Sequence, residues 1–163
     1  AWGGDSESLV ARGLELAALD RERVVVKLPL TAAGLCAAAE LRDSCVRICM
    51  TTCYEAKQAF LAAGVGAEYI APYLGRMSDL ALDGPEECAT MQAVVRGSGS
   101  GTRILVASIR SVDQMTKLAA RGLDTFTFSP AICDALLDVP ATLQAAEDFE
   151  QAAREGSIDA AAS

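Results

Sequence analysis

Lys27 is one of only three lysines in the 163-residue chain, and it interrupts an apolar run, Arg23-VVVKLP. A lysine on an apolar strand loses solvation, which favours the neutral amine and makes it a nucleophile toward a carbonyl carbon. The plainer alternative is a strand-end lysine whose ammonium stays in water. Six cysteines are the other conspicuous groups, and Cys45, Cys49 and Cys53 recur at intervals of four. That spacing fits neither zinc-finger nor ferredoxin ligation, and the chain has no histidine to complete a metal site. The cysteines therefore read as small buried hydrophobes, and no metal and no cofactor are expected. Read one by one, Thr51 is a β-branched strand residue, Tyr73 a half-buried aromatic, and Arg76 and Arg110 ordinary surface charges.

The elements that must position these groups alternate along the chain. Apolar, β-branched runs at Arg23–Pro29, Val46–Cys53, Glu68–Pro72, Arg103–Ile109 and Thr125–Phe128 predict five strands. Helical spacing separates them at Thr31–Leu41, Glu55–Ala63, Glu86–Val95 and Val112–Ala120, with further helices over Glu7–Leu19, Ile132–Leu137 and 142–155. One helix between successive strands implies βαβ units and a parallel sheet. Leu61–Pro72 (LAAGVGAEYIAP) and Leu118–Pro130 (LAARGLDTFTFSP) are near copies, in which Gly64 and Gly122 are expected to close helices in the left-handed conformation. Arg96-GSGSG reads as a surface linker, because it lacks phosphate-loop spacing. A repeated βα unit suits a barrel or a doubly wound sheet, and no dinucleotide-type glycine fingerprint supports the latter. Strand parity puts Val25 with Lys27, Cys49 with Thr51 and Cys53, Tyr69 with Ala71 and Tyr73, and Val106 with Ser108 and Arg110.

Three segments carry a family resemblance. VVVKLPLTAAGLCAA (Val24–Ala38) resembles the strand-four motif VVKIPxTxEGLxA of transaldolases and fructose-6-phosphate aldolases. MTTCYEAKQAFLAAGVGAEYIAPYLGRMSD (Met50–Asp79) resembles that family's next two βα units, and RILVASIRSVDQM (Arg103–Met115) its strand-seven segment. The likeness runs in the family's own order from about residue 5 to about residue 155. It implies an α/β fold, the transaldolase-type (β/α)8 TIM barrel, of which this chain supplies about five C-terminal βα units as a single partial domain over 1–163. Lys27 then becomes the amine that forms a Schiff base with a ketose. Thr51 places the catalytic water, Tyr73 takes part in proton transfer, and Arg76, Ser108 and Arg110 hold the substrate's phosphate. The implied activity is a class I aldolase or transferase acting on a ketose or sugar phosphate, in the pentose-phosphate type of metabolism.

The sequence departs from the family at Ala33, where an acidic residue is usual, and at Cys49, where many members carry asparagine. The family's first three strands, with their catalytic aspartate, have no counterpart here. The completing strands are expected on a longer protein or on another chain. Alternatively, a non-catalytic transaldolase-like subunit has its open edge covered by further copies or by a larger assembly. The formal charge of −8 argues against nucleic acid and anionic membranes as partners. No apolar run is long enough for a transmembrane segment. Unpaired cysteines in apolar surroundings point to the cytoplasm or a reducing organelle interior, such as plastid stroma or mitochondrial matrix, rather than to secretion.

Overall fold

A computed structural model describes residues 1–161, with side chains as far as residue 156. Five parallel strands pair in chain order: β1 (Val25–Pro29), β2 (Arg47–Cys53), β3 (Tyr69–Pro72), β4 (Arg103–Val106) and β5 (Thr125–Phe126). Strictly sequential order has no switch point, so the doubly wound alternative is set aside. All crossover helices of such a sheet must cover one face, and the burial follows that rule. Val26, Leu28, Ile48, Met50, Ile70, Ile104 and Val106 share the core with Leu9 and Val10 of α1 (Ser6–Ala17) and with Ala37, Ala38 and Leu41 of α2 (Ala32–Asp43). Residues of the other parity line the opposite face. Lys27, Cys49, Tyr69 and Arg103 form one register row across it, and Pro29, Thr51 and Ala71 form the next. Five parallel strands with helices outside and the candidate groups inside make an arc of a (β/α) barrel.

Local chemistry explains where the helices start and stop. Asp5, Thr31, Asp83 and Ser111 accept backbone N–H bonds as N-caps of α1, α2, α5 (Gly84–Gly97) and α6 (Val112–Ala119). Helix ends close by bonds from the residue after a left-handed position: Val46 N–H to Leu41, Ala67 N–H to Ala62, Leu82 N–H to Met77, and Leu123 N–H to Leu118. Gly122 takes that position as expected, but α3 (Gln58–Gly64) includes Gly64 and the left-handed residue is Gly66, with φ +70°. The helix runs on because Ala62 and Ala67 are both buried and must meet across the cap. Arg96 and Gly97 likewise belong to α5, and the turn is made at Gly99.

A short helix, α4 (Leu74–Asp79), follows β3, over residues where the sequence reading placed no helix. The described residues divide into two compact units, from Ala1 to Phe128 and from Ser129 onward. The second holds α7 (Pro130–Leu137) and α8 (Pro140–Ala161), which contains residues 142–155. No helix among the described residues is long and apolar enough to cross a membrane.

Candidate active site

The site is built at the C-terminal ends of β1 to β4, where barrel chemistry is found. Lys27 lies on the inner face of β1, beside Cys49 in register. Its side chain is exposed, which corrects the expectation of desolvation. Alternation on an apolar strand set the direction of the side chain but not its cover, since the facing wall of a barrel comes from other strands. Thr51, in the next row, is buried, and its hydroxyl donates to the Tyr73 hydroxyl at 3.0 Å.

Tyr73 is the hub of this cluster. Its backbone N–H donates to the Cys53 carbonyl at 3.1 Å, and it bridges to Ala107 just beyond β3 and β4. The Tyr54 ring meets it edge-on, with centroids 6.0 Å apart and planes at 80°. Gln58 holds the loop carrying Tyr54 by accepting the Tyr54 and Glu55 N–H groups at 2.7 and 3.0 Å. The Lys27 Nζ lies 5.9 Å from the Tyr73 ring centroid, and the Arg76 guanidinium carbon lies 4.9 Å from it.

Beyond Tyr73 the chain turns into α4, which packs against the loop after β4. Leu74 and Gly75 donate N–H bonds to the Ala107 and Ser108 carbonyls, each at 3.0 Å. The approach at Gly75 is close: a Cβ there would stand 2.5 Å from the Ser108 carbonyl oxygen and 2.7 Å from Arg110 Nε. Ser108 has φ +61°, and it is exposed at the site. Arg110 is held by Asp79 in a forked pair, Nη1 to Oδ1 at 2.7 Å and Nη2 to Oδ2 at 2.5 Å. That bond, with the Arg76 charge adding to it, keeps the Asp79 carboxyl below the usual carboxylate range. Arg110 thus presents its Nε edge toward Gly75 and Ser108, while its outer fork is taken.

All six sequence-derived positions therefore sit at one end of the sheet. Lys27, Thr51 and Arg76 gather around Tyr73, and Ser108 and Arg110 gather around Gly75. Sequence reasoning missed Asp79, Gly75 and Tyr54. No signal in the residues pointed to them, because the six residues of α4 are too few to show a periodic face.

Parity fails at two places. Val106 lies in the core with Ile104 rather than facing the site with Ser108 and Arg110, because the chain leaves the strand and Ser108 turns left-handed. Cys53 fails as well. A bulge between Thr51 and Cys53, with Thr52 at φ +60°, shifts the register, so Cys53 joins the core cluster with Ile48 and Met50. Burial raises the Cys53 thiol to about 12, with a further push from Cys49. It raises Cys49 to about 11, against the pull of the Lys27 charge. Both are inert thiols rather than nucleophiles. Among the described residues no group of three or more His, Cys, Asp or Glu is placed to hold a metal ion.

Comparison with known proteins gives a consistent picture. A probable transaldolase of Roseobacter denitrificans is 38% identical over 145 residues, covering 89% of this chain and 66% of the relative. One from Hyphomonas neptunium is 35% identical over 155 residues, covering 95% and 71%. The chain spans about two thirds of the length of the curated relatives it matches. Among solved structures, the 2-keto-3-deoxy-6-phosphogluconate aldolase of Zymomonas mobilis aligns over 90% of this chain and 62% of its own, with a TM-score of 0.54 and 19% identity. A mandelate oxidase aligns over 78% and 47%, with a TM-score of 0.58 and 18% identity. At those identities the two structures speak for the fold alone. Residues 2–163 match the model described as Transaldolase/Fructose-6-phosphate aldolase, and the chain belongs to that family.

Proposed function

We propose that this chain carries the imine-forming half of a transaldolase-like class I aldolase or transferase acting on a ketose phosphate. The observation that supports it best is the clustering of Lys27, Thr51 and Arg76 around one tyrosine at the strand C-termini. In this reading the Lys27 amine, once it has given up its proton, attacks the ketose carbonyl carbon, and loss of water leaves an iminium. The iminium draws in the electron pair of the bond between C3 and C4. The aldehyde leaves as the C4 hydroxyl gives up its proton, and an enamine stays on Lys27. That enamine either takes a proton or attacks an acceptor aldehyde, and water then releases the product.

Thr51 and Tyr73 share a hydrogen bond, and this pair holds the water and relays the proton. The carboxylate that takes the C4 hydroxyl proton belongs to strands that complete the barrel. Arg76, Ser108 and the Nε edge of Arg110 bind the phosphate, since guanidinium groups match its oxygens. In this reading the protein works as an oligomer or within a larger assembly, which covers the free edge of β1 and encloses Lys27.

The test is cleavage of fructose 6-phosphate by the complete assembly that holds this chain, followed through the triose phosphate released. Lys27→Met abolishes it; wild-type turnover in that variant removes Lys27 from the reaction. The exposure of Lys27 on an open arc favours a second reading, a non-catalytic subunit of the same fold. A native mass near 17.0 kDa per chain inside a large complex, with no turnover, selects it.

A further inference from the structure

The Tyr73 side chain has two ends that face different groups. Its hydroxyl takes the bond from Thr51, while the face of its ring meets a cation, Arg76, three residues along α4. The backbone bond to Cys53 and the bridge to Ala107 fix the Tyr73 main chain, while the Thr51 hydroxyl and the Tyr54 ring hold its side chain. Arg76 has no comparable anchor, because among the described residues no carboxylate forms an ion pair with it, whereas Arg110 is clamped by Asp79. A long exposed side chain without such a clamp loses considerable freedom when it binds an anion. A rigid aromatic face that already carries the guanidinium removes part of that loss.

We propose that the Tyr73 ring is a positioning element of the phosphate site, holding Arg76 where a substrate phosphate will meet it. This rests on the reading of Arg76 as a phosphate ligand, and it is independent of the Lys27 imine. One residue then has two separable functions. The hydroxyl belongs to proton transfer, and the ring belongs to anion recognition. The stack places the guanidinium over the same ring that lies 5.9 Å from the Lys27 amine. The ring therefore sets the separation between the phosphate and the reacting carbonyl.

The experiment measures binding of glucitol 6-phosphate, which has no carbonyl and forms no imine, to the full chain by calorimetry. Tyr73→Phe keeps the ring and is expected to bind within about twofold of wild type, while turnover falls through loss of the hydroxyl. Tyr73→Leu removes the ring and is expected to weaken binding by about three- to tenfold. In an Arg76→Ala background the same Leu substitution is expected to change nothing further, an outcome that general loosening of the fold would not give. Tyr73→Met carries the comparison if the Leu variant unfolds.

Equal weakening by Phe and Leu assigns the effect to the hydroxyl and overturns the proposal. Persistence of the Leu effect without Arg76 overturns it too, as does failure of the wild type to bind. Normal binding behaviour together with absent Lys27 chemistry leaves the ring's role standing and removes the imine.

Discussion

Replacing Gly75 by alanine tests how tightly α4 is seated on the loop after β4. The added Cβ would lie 2.5 Å from the Ser108 carbonyl oxygen, 2.7 Å from Arg110 Nε and 2.9 Å from Ser108 Oγ. The nearest of these is backbone, and it is the acceptor of the Gly75 N–H bond, so neither partner can swing away alone. Overpacking of this kind costs about 1–3 kcal/mol. Stretching the Leu74 and Gly75 bonds to Ala107 and Ser108 adds about 1 kcal/mol each. The better helix propensity of alanine returns about 1 kcal/mol. The net loss is about 2–4 kcal/mol, which for a chain of this size lowers Tm by roughly 5–15 °C. Thermal unfolding of the full chain by circular dichroism measures it. Affinity for glucitol 6-phosphate falls in parallel, because relief of the clash separates Arg76 from Ser108 and Arg110. A variant melting within about 1 °C of wild type would refute the contact reasoning.

Two further outcomes follow from the same geometry. Thr51→Val keeps the shape of a buried strand residue but removes the donor to Tyr73; stability is expected to change by no more than about 1 kcal/mol. Ketose cleavage at saturating substrate is expected to fall by about 10²-fold, and unchanged turnover would free Thr51 of any role. Above neutral pH the buried thiols make stability depend on pH. Burial lifts Cys49 to about 11 and Cys53 and Cys88 to about 12, from an ordinary 9.0. The native state keeps protons that the unfolded chain has released, so this stabilisation is complete below pH 9.0 and is lost as pH rises toward 11 to 12. Urea unfolding at about pH 8 and about pH 10.5 should show a loss approaching 1.4 kcal/mol per pH unit per thiol, reduced in Cys88→Ala. A flat profile across that range would contradict the burial of these groups.

Much of this arrangement was legible in the residues, and the failures have physical causes. All five strands lie where β-branched runs placed them, because a parallel sheet covered by helices needs apolar segments whatever its partners. The end of β4 was overrun by three residues, from Val106 to Ile109. There Ala107 and Ser108 give their carbonyls to α4, and Ser108 turns left-handed. Helix α4 was invisible as a periodic pattern, since six residues make too few turns to show a face. The bulge at Thr52 had no cue either, because a threonine carries no preference for positive φ. Solvation of Lys27 depends on the opposite wall of a barrel, a non-local property that no window of sequence contains. The positions of the candidate groups could be derived from spacing and resemblance; the pairing of Asp79 with Arg110 could not.

The most direct test of the account is borohydride reduction of the full chain in the presence of dihydroxyacetone, followed by peptide mass mapping. The account predicts one reduced triose carried on the peptide containing Lys27, and none in Lys27→Met. A chain that gains no adduct, or gains it equally on Lys57 and Lys117, would contradict it.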